Sequence, residues 1–177
     1  MPEGERTAVM QNMSRTLTAL HELAHIVYLP PAKETERLGA EPVITIKEVG
    51  ADIIYQPLVP SVIEKGGLSG TKEQWAIAML VNALTGIRDQ AEGDPYYHAA
   101  VYAVNELFDK KVVEFENRQL VIRDYDQYYR IQQKAAAELI AVYENPDMNE
   151  KRAAAWIKTN CVPSPRVKEV MRFLKKS

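Results

Sequence analysis

Five residues of this chain, His21-Glu22-Leu23-Ala24-His25, have the types and spacing to do chemistry. On a helix, residues four apart lie one above the other, so both imidazoles can point at one cation. A neutral imidazole pair is a common way to hold zinc, and a glutamate beside the first histidine can take a proton from a zinc-activated water. The chemistry such a pattern supports is hydrolysis of a peptide bond by that water. The plainer alternative is a pair of helix histidines hydrogen-bonded to groups at the edge of the core. A catalytic zinc site needs a third protein ligand and one open position. The candidates outside the motif are Asp89, Glu92, Asp94 and His98. Asp94 precedes Pro95, a capping carboxylate followed by proline at a first helical position. His98 lies about one turn further on, and the two could also work together, one orienting the other.

Composition narrows the field. The 177 residues favour a single domain with a real core. Hydrophobic residues make up 46% and charged residues 26%, as in ordinary soluble globular proteins. The formal net charge of -2 counts against a dedicated nucleic-acid binder. Cys161 is the single cysteine, so an internal disulfide and a thiolate-rich metal site are both excluded. Reducing conditions, no apolar run of the ~18 residues that cross a bilayer, and a start without a signal-peptide pattern lead to the expectation of a cytoplasmic protein. There is no internal repeat or low-complexity stretch.

The elements that must position the motif follow from periodicity. Met10, Met13, Leu17, Leu20, Ala24 and Tyr28 recur at three- and four-residue steps, which predicts an amphipathic helix from Thr7 to Tyr28, closed by Pro30-Pro31. Residues 32–41 are polar and read as a loop or short turn. The β-branched runs 42–47 and 52–56, with Gly50 between them, predict a first antiparallel hairpin beside the motif helix. Its free edge would hold an extended peptide by strand addition. Residues 57–70 read as a loop. Thr71 caps a helix that ends near Gly86, and a second helix runs from Tyr96 to Phe108. Residues 112–115 and 120–123, around Asn117, predict a second hairpin. Helices follow over 125–143, 149–158 and 165–176, the last one basic. The fold class expected is α+β, mostly α-helical, with two small hairpins in one domain.

The segment Arg15-Thr16-Leu17-Thr18-Ala19-Leu20-His21-Glu22-Leu23-Ala24-His25-Ile26-Val27 resembles the active-site helix of the FtsH-type zinc peptidase domain, in which H-E-A-G-H follows a similar run. The order downstream is similar over roughly residues 14–108. Leu84-Thr85-Gly86-Ile87-Arg88 stands near a Gly-Arg segment, and Gly93-Asp94, trailed by Ala99-Ala100, stands near the ligand aspartate. The resemblance implies a zinc metallopeptidase core over 7–110, with His21, His25 and Asp94 as zinc ligands, Glu22 as the catalytic base, and a peptide or protein substrate. The chain departs from the pattern at Ala24, where the family has glycine, and in a gap from Asp94 to Ala99 one residue longer. No P-loop glycine pattern exists in this chain, so the AAA+ motor of that family is not expected within it. Peptidases that cleave phage or stress-response repressors often read H-E-L-A-H as well, but place a glutamate ligand on an acidic helix soon after it. Glu34 and Glu36 lie here in a polar loop instead.

Two further classes compete. The helix over 96–110 and the hairpin over 112–123 resemble the recognition helix and wing of a winged-helix DNA-binding module, although that helix is nearly free of Arg and Lys before its end. The other is a structural or interaction protein carrying a vestigial metal motif.

Overall fold

In the computed structural model, residues 3–27 and 35–174 are described, with side chains from residue 11 onward. The expected helix ends at Tyr28 and Pro30-Pro31, and the tail beyond Leu174, lie outside them. The architecture is helical with one small sheet. In order, the elements are α1 (Glu3–Val27), α2 (Ala40–Ile53), α3 (Val59–Glu64), α4 (Lys72–Asp89), α5 (Pro95–Asp109), β1 (Val113–Glu116), β2 (Gln119–Ile122), α6 (Tyr125–Glu144), α7 (Glu150–Asn160) and α8 (Pro165–Leu174). Single 3₁₀ turns occupy Glu36–Leu38 and Gln56–Leu58. The fold is thus mostly α, in the α+β class. Among the described residues no helix is long and apolar enough to cross a membrane.

The largest departure from sequence expectation is α2. The runs read as a first hairpin, 42–47 and 52–56, form a helix and the 3₁₀ turn after it. Val43, Ile44, Thr45 and Ile46 favour strands only weakly, because β propensity mostly measures fit to a half-buried surface. The burial pattern decides the matter. Pro42, Thr45, Ile46, Val49, Gly50 and Ile53 are buried, at steps of three and four. Pro42 sits in the first turn, where a missing backbone donor costs nothing. Gly39 precedes the helix at φ 82° and ψ 156°, a conformation that essentially only glycine adopts. The stretch read as a loop over 57–70 contains α3, with Pro60 in its first turn.

α2 is the central helix. It packs most extensively on α5 and also against α1, α6 and α7. Tyr143 of α6 donates its hydroxyl to the carbonyl of Ile46 at 3.0 Å. Trp75, fully buried on α4, donates its indole N–H to the Ser69 carbonyl at 2.8 Å. α4 starts on a capping box: Thr71 Oγ1 accepts from the Gln74 amide while the Gln74 side chain accepts from the Thr71 amide. It runs past Gly86 to Asp89, because a mid-helix glycine costs only about 1 kcal/mol against a buried face that includes Leu84 and Ile87.

The second hairpin forms as expected. Val113 pairs with Ile122 and Glu116 with Gln119, and the two-residue turn at Asn117-Arg118 has both φ positive. The α5 helix before it is a core element. It buries Tyr97, Ala99, Ala100, Val101, Ala103, Val104, Leu107 and Phe108 and carries no lysine or arginine. A recognition helix needs an exposed cationic face, and α5 offers none.

Candidate metal centre

Helices α1 and α2 run antiparallel, so that the 21/25 pair of α1 faces the 48/52 pair of α2. Four-residue spacing aligns the two side chains of each pair on one helix face. Three atoms converge between them. His21 Nε2 lies 3.1 Å from His25 Nε2 and 3.1 Å from Glu48 Oε2, and His25 Nε2 lies 3.5 Å from the same oxygen. The two rings meet edge to face, with centroids 4.8 Å apart. Behind His21, Nδ1 donates to Asp52 Oδ1 at 2.7 Å. That bond fixes the neutral tautomer with the lone pair on Nε2, aimed at the convergence point.

Two observations test whether a metal fits. Glu48 Oε2 is buried, and its close polar neighbours among the described residues are the two imidazole nitrogens, His21 Nε2 and His25 Nε2. A buried carboxylate oxygen is costly unless a cation, or a proton held on one of those nitrogens, satisfies it. In addition, two imidazole nitrogens 3.1 Å apart cannot both present lone pairs without a cation or a shared proton between them. Two imidazoles and one carboxylate, with an acidic partner behind the first imidazole, is a donor set used by catalytic zinc. The residues present fit zinc. Without metal, the same field retains a proton. Burial pulls the His21 pKa down, but hydrogen bonds to Asp52 and Glu48 and their charges outweigh it and raise it to about 10.

The structure brings together His21 and His25 but leaves all four candidates from outside the motif, Asp89, Glu92, Asp94 and His98, out of the compact group. Asp94 caps α5, its carboxylate accepting from the Tyr96 amide at 2.8 Å. His98 donates Nδ1–H to the Cys161 carbonyl at 3.0 Å, tying α5 to the end of α7. Among the described residues, His21, His25 and Glu48 form the one group of side chains compact enough to hold a metal ion. Glu48, and not Asp94, is the carboxylate beside the two histidines. The signal for Glu48 and Asp52 was their four-residue spacing, which repeats that of the histidines. A strand reading of 42–56 puts Glu48 near the turn and hides it.

His21 and Glu22 border a cleft of about 410 Å³ that runs from α1 to the C-terminal half of α4. Asp52 of α2 lies on the same cleft, as do Asn82 and Asp89 of α4 and Tyr96 at the start of α5. Glu22 is exposed, with its carboxylate on the cleft side of α1. The Tyr96 ring centroid lies 6.0 Å from that of His21. The negative charge of Glu48, with partial burial and the charges of Glu22, Asp94 and Asp52, raises the Tyr96 pKa. Its phenol therefore stays protonated and able to donate. Tyr96 was not among the residues singled out from sequence, since an aromatic at a helix start carries no motif. No family model, curated protein or solved structure matches the chain.

Proposed function

We propose that this protein is a zinc-dependent metallopeptidase, with His21, His25 and Glu48 holding the metal and Glu22 as the general base. The observation that carries the reading is the convergence of three potential donor atoms on one point, including a buried carboxylate oxygen whose close polar neighbours, among the described residues, are the two histidines. Zinc bound there would lower the pKa of a bound water to near neutral and polarise the carbonyl of the scissile bond. Glu22, one residue from the first ligand and open to the cleft, accepts the water's proton and returns it to the departing amine. Tyr96 donates its phenol hydrogen to the carbonyl oxygen as charge builds there. Asp52 holds the His21 ring in the ligating tautomer.

Substrate is not held by strand addition, because the segment expected to offer a free edge is α2 and its backbone is bonded within the helix. The test is zinc content and peptide cleavage of the parent protein against Glu22→Gln. The expected result is about one zinc per chain in both, with cleavage of a peptide library in the parent only. Less than a tenth of an equivalent of zinc in the parent sinks the metal reading, and cleavage that survives in Glu22→Gln removes Glu22 as the base.

A further inference from the structure

We propose that the cleft selects substrates presenting an organic cation, an ammonium or a guanidinium, to its α4 end, with Asp89 as the specificity-determining residue. This rests on the metallopeptidase reading and adds the substrate class. Every wall of the cleft near the cluster is helical, so side chains and helix ends must orient the substrate in place of a strand edge. Among the described residues, the charged side chains on the cleft are Glu22, Asp52 and Asp89, with His21 bound to Asp52, and neither lysine nor arginine lines it. The C-terminal turn of α4 also opens on the cleft, through Thr85, Gly86, Asp89 and its cap Gln90. The Gly86 carbonyl accepts from the Gln90 amide, so what makes this end negative is the helix dipole, beside the Asp89 carboxylate. Charge and dipole thus favour a cation at the same place.

Asp89 already engages such a group. The guanidinium of Arg88 bonds both its oxygens, Nε to Oδ1 at 2.6 Å and a terminal nitrogen to Oδ2 at 2.8 Å. Arg88 itself does not line the cleft. Both partners of this pair are about half exposed. Such exposed pairs contribute little, so displacing Arg88 with a substrate cation costs little. A second metal is a poorer occupant, since among the described residues Asp89 belongs to no group of side chains compact enough to ligate one. The cleft's volume is near the lower end for small-ligand sites, which suits a short peptide or one substrate side chain.

The cation could be the substrate's free α-ammonium or a basic side chain, and hydroxamates that anchor on zinc separate the two. Calorimetric titration of the zinc-loaded chain is made with leucine hydroxamate, Nα-acetyl-leucine hydroxamate and Nα-acetyl-lysine hydroxamate. At least one cationic compound is expected to bind ten-fold or more tightly than the neutral acetyl-leucine compound. Asp89→Asn reduces that preference to less than three-fold, and Arg88→Ala increases it by freeing Asp89. Tighter binding of leucine hydroxamate identifies the α-ammonium; tighter binding of the acetyl-lysine compound identifies the side chain. Equal binding of all three, or a preference untouched by Asp89→Asn, overturns the inference while leaving a zinc-binding, peptide-cleaving protein intact. A chain that takes up no zinc overturns the inference and the reading beneath it together.

Discussion

Replacing Asp52 tests whether α2 serves the metal centre or merely packs beside it. Its carboxylate accepts from His21 Nδ1 at 2.7 Å, a charge-assisted hydrogen bond that sets the tautomer of the first ligand. Losing the carboxylate partner of a ligating histidine typically costs 10–100-fold in metal affinity, about 1.4–2.7 kcal/mol. Two substitutions divide that range. Asp52→Asn keeps an oxygen that can accept from Nδ1 and so keeps the tautomer, but it loses the charge. Hydrogen bonds to charged groups contribute about 1.5–3 kcal/mol against 0.5–1.5 kcal/mol for neutral ones. Asparagine should therefore weaken zinc binding by roughly ten-fold. Asp52→Ala frees the ring and the tautomer and should approach a hundred-fold. The α2 backbone is not at stake, because the Gln56 side-chain amide donates to the Asp52 main-chain carbonyl in either variant. The assay is competition for zinc with a chromophoric chelator at fixed pH, with circular dichroism as the control for fold. An alanine variant within three-fold of the parent, or an asparagine variant weaker than alanine, would refute the argument.

Asp94→Ala should leave zinc affinity unchanged and cost about 1 kcal/mol in urea unfolding, since its carboxylate caps α5; a loss of zinc affinity beyond three-fold restores Asp94 as a ligand. Zinc-free protein should lose stability with rising pH. The folded His21 pKa of about 10 exceeds the ordinary 6.5, so its contribution is fully present below about 6.5 and is lost as pH rises through about 10. At about 1.4 kcal/mol per pKa unit the contribution cannot exceed about 5 kcal/mol. Melting in EDTA across that window should show the decline in the parent and a weaker one in His21→Gln. Gly39→Ala should destabilise by about 1–3 kcal/mol, because its φ of 82° strains any other residue and the new methyl would meet the Glu150 side chain; an unchanged urea midpoint contradicts this.

Several helix starts and the pairing of the two histidines were legible in the sequence because their signals are local. The Thr71–Gln74 capping box, the Asp94-Pro95 start and the turn around Asn117 each act within a few residues, and each stands where expected. His21 and His25 share one side of α1 because four-residue spacing requires it. The third member was hidden because it depends on tertiary context. Val43 to Ile46 look like a strand until burial on α5 and α1 makes their stretch a helix, and only then do Glu48 and Asp52 fall on one face. Tyr96 was equally unreadable as a site member, and Asp89, a ligand candidate by sequence, was not readable as a wall of the cleft, since what joins them to α1 is the packing of α4 and α5 around the cleft. Asp94 caps α5 and, among the described residues, lies outside the compact group of His21, His25 and Glu48.

A crystal grown with zinc and measured on both sides of the zinc absorption edge tests the central claim most directly. The account predicts one anomalous peak, with Nε2 of His21 and of His25 at about 2.0–2.1 Å and a Glu48 oxygen at about 2.0–2.2 Å. No peak between α1 and α2, or a peak completed by Asp94 or His98, contradicts it.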